Sequence, residues 1–260
     1  MDKKGSLVVV GTGIKAIAHM TAEAMAAIRH ADKVLYGVCE PVTEKWIREN
    51  ARSAECLDRF YVEGEPRLHA YRAMVDEILR YLREGLHVCV SFEGHPGVFV
   101  HASHAAIRAA REEGYRARML PGVPTQSVLF CDVLIDPAEF GSQSFDATDF
   151  LLRGYQPDVT SILILWQVGS IGDLTYNPSS SNVRNVQVLA EVLGRHYGPE
   201  HEVTAYQAPV LALGAPRIQR LPLNRLGEVD LGASTLFVPP LRQAEFDVHL
   251  GEEFGVIDTE

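Results

Sequence analysis

Short apolar runs alternate with amphipathic stretches along the first half of the chain, which indicates strands separated by helices. The clearest amphipathic stretch covers 67–83, where Met74, Ile78 and Leu82 recur at helical spacing and Gly85 follows as a helix end. Strands and helices that alternate in this way predict a parallel sheet with helices on both faces. The predicted strands are 7–10, 33–38, 88–92 and 116–120, and the predicted helices are 17–30, 43–50, 67–83 and 99–113.

The second half carries a similar but sparser pattern after a turn at Pro121-Gly122. It predicts strands at 161–166, near 202–206 and at 234–238, with a helix at 183–197. Pro239-Pro240 then ends regular structure. We therefore expect an α/β protein with two lobes, 1–122 and 123–240, a ligand cleft between them, and an acidic, weakly patterned tail over 241–260.

Composition narrows the class of protein. The 260 residues are 47% hydrophobic and carry a net charge of -10, so a large core is expected and a nucleic-acid partner is not. No apolar stretch is long enough to span a membrane, which favours a cytoplasmic protein without a membrane partner. The four cysteines form no CxxC pair, and three of them lie in apolar or strand-like runs, so buried reduced thiols are expected: Cys39, Cys56, Cys89 and Cys131.

A glycine turn, Gly11-Thr12-Gly13, directly follows the first apolar run. Glycine permits close approach of a ligand to the backbone, and ligands of α/β proteins usually bind at the carboxyl end of the first strand. Gly11-x-Gly13-x-x-Ala16 satisfies the loose dinucleotide fingerprint, with Glu40 as the acid that the fingerprint requires. The residues alone leave open a nicotinamide or flavin enzyme and a tight turn without a ligand.

A second cluster, Gly94-His95-Pro96-Gly97, lies between a predicted strand and a predicted helix. Such a loop offers backbone N–H groups to a ligand. His95 with His101 and His104 is a conceivable metal site, but no carboxylate or fourth histidine completes a zinc pattern. Hydrogen bonding within the loop is the favoured interpretation, and we expect no metal.

The third cluster joins Tyr61 to Arg67 and Tyr71, which lie four residues apart and share a helix face. A fixed cation with phenolic hydroxyls is suited to bind and polarise a carbonyl group. A surface arginine stacked on a tyrosine is the plainer alternative, and the three residues alone favour it.

With these clusters placed, the chain resembles the tetrapyrrole methylase superfamily and, more narrowly, the borosin peptide-backbone α-N-methyltransferases. The resemblance runs from about residue 5 to residue 240. It rests on a set of short stretches that occur in this order: SLVVVGTG at 6–13, GHPGVFV at 94–100, EGYRARMLPGV at 113–123, Ile135-Asp136-Pro137, SFDATDFLL at 144–152, WQVG at 166–169, GPEHEV at 198–203 and STLFVPP at 234–240.

The resemblance implies a bilobal methyltransferase, a homodimer, and S-adenosylmethionine in the cleft between the lobes, which displaces the nicotinamide interpretation. It implies S-adenosylhomocysteine as the product. The residues that it assigns to the methyl donor are Gly11, Gly13, Glu93, His95, Pro96, Gly97, Val98, Phe99, Thr125, Trp166 and Gln167.

In the borosin branch the acceptor site is lined by tyrosines and an arginine, roles that fall on Tyr61, Arg67 and Tyr71. A backbone amide nitrogen is a poor nucleophile because its lone pair is delocalised into the carbonyl. Arg67 would stabilise the negative oxygen that forms as the nitrogen loses its proton, and the tyrosines would hold that oxygen or accept the proton. We also expect Arg67 to lower the pKa of the tyrosines.

One position and one stretch of three residues depart from the borosin pattern. Glu93 stands where a tyrosine is typical, and Pro124-Thr125-Gln126 stands where Ser-Ala-Glu is typical. Fused borosin enzymes carry their substrate peptide as an extension, whereas 20 residues follow Pro240 here, so a separate precursor peptide is expected. The alternatives are a small-molecule methylase of the same superfamily, acting on a tetrapyrrole-like acceptor, and a donor-binding subunit without turnover.

Overall fold

The structure, a computed structural model, describes residues 4–177 and 182–256. These residues pack into two compact units. The first comprises 4–133, 173–177 and 208–216, and the second comprises 134–172, 182–207 and 217–256. The lobe boundary after residue 122 stays a prediction.

A five-stranded sheet forms the centre of the first unit. Its strands lie in the order β3-β2-β4-β1-β5, and each neighbouring pair is parallel, as the sequence predicts. The three-residue strand β3 is missing from the sequence prediction because it is too short to show a period. The strands are β1 (Ser6–Gly11), β2 (Lys33–Gly37), β3 (Ala54–Cys56), β4 (His87–Phe92) and β5 (Arg116–Met119).

Helices cover both faces of this sheet. They are α1 (Ala22–His30), α2 (Pro41–Asn50), α3 (Arg67–Arg83) and α4 (His101–Glu112), and α5 (Thr125–Val133) follows β5 along the chain. Val88 and Val90 of β4 belong to a core that includes α3 and α4, while Cys89 faces a second core that includes α1 and α2. Successive side chains of β4 therefore point alternately into the two cores. Cys89 is buried as expected, but the expectation of burial is wrong for Cys39 and Cys131, which are exposed. Helix α3 has the bounds predicted from its apolar spacing.

Two helices begin later than the sequence predicts. The helix expected from residue 17 begins at Ala22, because Ile17 has a φ of 59° and the Thr21 hydroxyl caps the helix by accepting from the Ala24 N–H at 3.0 Å. The helix expected from residue 99 begins at His101, because Phe99 has a φ of 56°. Backbone in this left-handed region cannot continue into a right-handed helix.

The second unit contains a mixed sheet in the order β6-β7-β10-β8-β9, in which only the β6–β7 pair is parallel. Helix α8 has its predicted bounds and buries Leu189 and Leu193 against Leu165 and Leu236 of the sheet. The elements are α6 (Pro137–Phe140), β6 (Ser142–Asp146), α7 (Ala147–Arg153), β7 (Ile162–Trp166), α8 (Val183–Tyr197), β8 (Glu202–Gln207), β9 (Arg217–Pro222), β10 (Thr235–Val238) and α9 (Val248–Phe254).

The segment after residue 240, expected to be weakly patterned, contains α9, which Asp247 caps by accepting from the Leu250 N–H at 3.0 Å. Its last four residues lie outside the described part of the chain. Within 4–177 and 182–256, no helix combines the length and the apolar character needed to cross a membrane.

A hydrogen-bonded ion pair at the edge of the sheet helps to hold α3 against the sheet. Glu55 of β3 accepts hydrogen bonds from Lys33 of β2, from the Tyr81 hydroxyl of α3 at 2.7 Å, and from Arg59 at 3.0 Å. The hydrogen bonds from Lys33 and Tyr81 lower the pKa of Glu55 to about 2. The pKa of Lys33 is raised, because its pairing with Glu55 outweighs the opposing effect of burial. This pair therefore helps to hold the helix that carries Arg67 and Tyr71.

We expect this pair to make stability pH-dependent at acid pH. Because the folded-state pKa of Glu55 lies below its usual 4.5, the stabilisation is fully present above that value and is lost as pH falls towards about 2. Glu55 is one-third exposed, so after solvent screening Glu55→Gln should lower the free energy of unfolding at pH 7 by about 1–2 kcal/mol. The stability of Glu55→Gln, measured by urea denaturation, should also vary less than that of wild type between pH 4.5 and about pH 2.

Glu49→Gln is the matched control, because the Glu49–Lys45 pair is exposed on α2 and should contribute less than about 0.5 kcal/mol. An acid dependence in Glu55→Gln as steep as in wild type would contradict the assignment.

Candidate active site

A cavity of about 390 Å³ opens in the first unit at the carboxyl ends of three neighbouring parallel strands. Cys39 follows β2, Asp58 follows β3, and Glu93 follows β4. The carboxyl edge of a parallel sheet is the usual place for a ligand in this class of fold. Its wall also includes Tyr61, Arg67, Tyr71, Phe99, His101 and Tyr176.

The structure brings Tyr61, Arg67 and Tyr71 together in this cavity, as their spacing predicts. The rings of Tyr61 and Tyr71 meet edge to face, with centroids 6.2 Å apart, and their hydroxyls are hydrogen-bonded. Tyr176 stacks on the other side of Tyr61 at 4.6 Å, and the His101 ring stacks on Tyr71 at 5.7 Å. Three successive ring contacts thus join four rings into a partly polar wall.

Arg67 is fixed at the first position of α3. Its backbone N–H donates to the Leu174 carbonyl at 3.0 Å, and its guanidinium donates to the Asp173 carbonyl. The surrounding chain is paired as well, since the Tyr176 N–H donates to the Glu65 carbonyl at 2.8 Å. A guanidinium held in this way presents a permanent positive charge in a fixed direction.

Two carboxyl groups in the cavity hold their protons more tightly than usual. Burial raises the pKa of Glu93, and the charges of Glu40 and Asp58 raise it further, against a hydrogen bond from the Cys39 N–H. Burial also raises the pKa of Asp58, which is hydrogen-bonded to Cys56. Glu93 has exposed surface because it lines an open cavity, yet the surrounding protein groups displace much of its hydration.

The expectation that Arg67 lowers the pKa of the tyrosines is wrong for Tyr61. Burial raises the pKa of Tyr61, and the neighbouring Tyr71 and Asp58 raise it further. A phenol in such a place keeps its proton at neutral pH. Tyr61 is therefore suited to donate a hydrogen bond and unsuited to remove a proton.

The backbone segments that leave β1 and β4 are paired beside the cavity. Gly13 donates to the Gly94 carbonyl at 3.1 Å, and Gly94 donates to the Gly13 carbonyl at 3.0 Å. A Cβ on Gly11 would lie 2.2 Å from the Gly94 carbonyl oxygen and 3.1 Å from Cα of Gly122. Contacts within the protein therefore already require glycine at position 11, so glycine there does not by itself identify a ligand.

The loop between β4 and α4 is organised by its own histidines. His95 accepts from the Gly97 N–H at 2.9 Å, and the His104 ring is hydrogen-bonded to the Gly97 carbonyl at 3.0 Å. Val98 and Phe99 have large exposed fractions, 38% and 50%. In the described residues, no cluster of three or more histidine, cysteine, aspartate or glutamate side chains is arranged to hold a metal ion.

The remaining residues predicted to bind the donor lie on separate elements. Pro96 lies close to Gly11, and Thr125 begins α5 in the first unit. Trp166 ends β7 in the second unit, where Gln167 follows with a φ of 58°. The donor site as a whole stays a prediction.

Sequence reasoning missed several residues of the cavity wall, among them three with polar side chains: Cys39, Asp58 and Tyr176. Recognition of β3 would have placed Asp58 at the carboxyl edge of the sheet beside Tyr61. No local sequence pattern predicts the position of Tyr176, because its segment is brought beside Tyr61 by pairing with residues 64–67, which are distant in the sequence.

Comparison with known proteins identifies the family of this chain. The model of the tetrapyrrole (corrin/porphyrin) methylases matches residues 6–215. The chain is also similar to two proteins named as a methyltransferase joined to a ribosomally synthesised cyclic-peptide precursor. For that of dendrothelin A from Dendrothele bispora, identity is 39% over 253 residues, covering 95% of this chain and 61% of the relative. For that of omphalotin A from Omphalotus olearius, identity is 40% over 243 residues, covering 92% and 58%. The chain thus spans about three-fifths of these relatives.

Solved structures share the fold at low identity. Uroporphyrin-III-C-methyltransferase from Thermus thermophilus superposes with a TM-score of 0.63 and 17% identity, covering 98% of this chain and 99% of that one. A structure of that enzyme complexed with S-adenosylhomocysteine gives 0.62 at 16%, covering 91% and 98%. A cobalt precorrin-4 methyltransferase gives 0.63 at 14%, covering 91% and 96%.

We expect Gly11→Ala to strain the paired segments beside the cavity. The new Cβ meets backbone atoms that cannot rotate away, so the free energy of unfolding should fall by about 1–3 kcal/mol. Gly194→Ala is the control, because a Cβ there lies 3.9 Å from its nearest neighbour inside α8 and should raise stability by about 0.5–1 kcal/mol. Chemical denaturation measures both, and equal stability of the two variants would show that the contact at Gly11 is not tight.

Proposed function

Because this chain belongs to the family of tetrapyrrole (corrin/porphyrin) methylases, we propose that it transfers methyl groups from S-adenosylmethionine to backbone amide nitrogens of a ribosomally made peptide. The two relatives named with a methyltransferase and a cyclic-peptide precursor support a peptide acceptor, at 39% and 40% identity over most of this chain.

The observation that carries the proposal is the grouping of Arg67 with Tyr61 and Tyr71 in one cavity. An amide nitrogen becomes nucleophilic only as its proton leaves and charge moves to the carbonyl oxygen. The fixed guanidinium of Arg67 is suited to stabilise that charge, and Tyr61, which keeps its proton, is suited to donate a hydrogen bond to the same oxygen. The wall of four rings would hold the flat peptide group in position.

The donor supplies a methyl group as an electrophile on a positively charged sulfur. Glu93 and Asp58 give the cavity a negative side that suits a cation, and the exposed Val98 and Phe99 offer apolar surface. We propose that the residues assigned from the resemblance, including Thr125, Trp166 and Gln167, hold the rest of the donor.

A tetrapyrrole acceptor fits the cavity less well. Uroporphyrin-type substrates carry several carboxylates, and a site for them needs several cations. The part of the wall that the structure describes holds one permanent cation, Arg67, beside the two acids Asp58 and Glu93. A neutral peptide group is the better match to that balance of charge. A homodimer and a peptide on a separate chain remain part of the proposal.

Two measurements test the proposal. Calorimetry should detect binding of S-adenosylhomocysteine and no binding of NAD. Synthetic peptides with the precursor sequences of dendrothelin A and omphalotin A, blocked at both ends, should gain methyl groups, and fragment-ion masses should assign these groups to backbone nitrogens. Methylation of a tetrapyrrole but of no peptide would support the small-molecule alternative, and donor binding without turnover would support a non-catalytic subunit.

We expect Arg67→Ala to lower kcat by about 10²–10³, because it removes the positive charge that faces the oxygen. Tyr71→Phe should lower kcat to a smaller extent, since it removes one hydroxyl from the hydrogen-bonded pair. Arg72→Ala, at the exposed neighbour on α3, is the matched control and should keep wild-type turnover. Mass spectrometry of the peptide product measures all three, and full turnover in both site variants would refute the assigned roles.

A further inference from the structure

The cavity contains a carboxyl group that takes no part in the catalytic roles proposed for Arg67 and the tyrosines. Glu93 leaves the end of β4 and lines the same cavity as Tyr61, Arg67 and Tyr71. The Cys39 N–H lies near its carboxylate and favours the charged form, and the carboxylate has about four acceptor positions on two oxygens. The group therefore has capacity to accept a further proton.

Methylation of an amide nitrogen requires an acceptor for the amide proton. Tyr61 is unsuited, because its raised pKa keeps it protonated. Cys39 has a raised pKa from burial and the nearby Asp58 and Glu93. Asp58 is hydrogen-bonded to Cys56. His101 and Tyr71, whose rings are stacked on each other, remain the competing candidates, and Tyr71→Phe tests the second of them.

We propose that Glu93 is the general base that accepts the proton from the peptide nitrogen, an inference that rests on the proposed function. A carboxylate is a far weaker base than an amide anion, so proton transfer must proceed together with methyl transfer. Arg67 makes this feasible because it stabilises the negative oxygen as the proton leaves.

The atoms and electrons of the step balance. The N–H bond breaks and its proton passes to Glu93, while a bond forms between the nitrogen and the methyl carbon. The bond between sulfur and that carbon breaks, and its electron pair stays on sulfur. The protonated Glu93 then returns its proton to water through the open side of the cavity.

The raised pKa of Glu93 suits this role, because a base works best when its pKa approaches the working pH. The base must be ionised, so kcat should fall as pH drops through the pKa of Glu93, which lies above its usual 4.5. The charged and titratable groups that share the cavity with Glu93 or shift its pKa are Cys39, Glu40, Asp58, Tyr61, Arg67, Tyr71, His101 and Tyr176.

Glu93→Gln keeps the size of the side chain and removes the base. We expect kcat to fall by about 10²–10⁴ and the acid limb of its pH profile to disappear. Circular dichroism and a thermal unfolding midpoint close to those of wild type would show that the variant is folded. Glu93→Asp should recover part of the activity together with the acid limb. Glu112→Gln, an exposed carboxylate at the end of α4, is the matched control and should behave as wild type.

His101→Gln tests whether His101 is the base instead. If Glu93 is the base, this variant should keep the acid limb of the pH profile. Wild-type turnover in Glu93→Gln, or loss of the acid limb in His101→Gln with its retention in Glu93→Gln, would overturn the assignment of Glu93. Failure of the proposed function looks different, because wild-type protein would then bind S-adenosylhomocysteine yet methylate no backbone nitrogen in any of the peptides.

Discussion

The backbone pairing between the segments that leave β1 and β4 is the constraint on which the candidate site depends. Gly13 and Gly94 exchange two hydrogen bonds, and Gly11 lies so close to Gly94 that no side chain fits between them. Glu93 immediately precedes Gly94, so this pairing fixes the backbone from which its carboxyl enters the cavity. Because the same strands form the centre of the parallel sheet, the position of Glu93 depends on the register of the core.

Burial divides the chemical roles among groups that share one cavity. Removing a phenol from water raises its pKa and makes Tyr61 a hydrogen-bond donor, while the same effect makes the Glu93 carboxyl a stronger base than it is in water. Arg67 stays charged throughout. Acid and base roles at neutral pH arise in this way when one environment shifts the pKa values of neighbouring groups in useful directions.

The parts of the fold that sequence predicted well are those with a strong local period. Helices α3 and α8 have their predicted bounds because each buries one apolar stripe along its whole length. Shorter or more polar elements were missed, such as β3 with three residues and the largely polar β9, since neither carries a readable alternation. The late start of α1 follows from the positive φ of Ile17, which the hydrophobic periodicity of the sequence does not predict.

The sequence by itself determined that the chain is α/β, that a glycine turn follows the first strand, and that Arg67 and Tyr71 share a helix face next to Tyr61. These features follow from neighbours within a few residues, where periodicity and turn chemistry act. Only the tertiary structure decided that Asp58, Glu93 and Tyr176 join that group, and that Tyr61 keeps its proton. Burial and the approach of distant segments set pKa values, and neither can be read from local spacing.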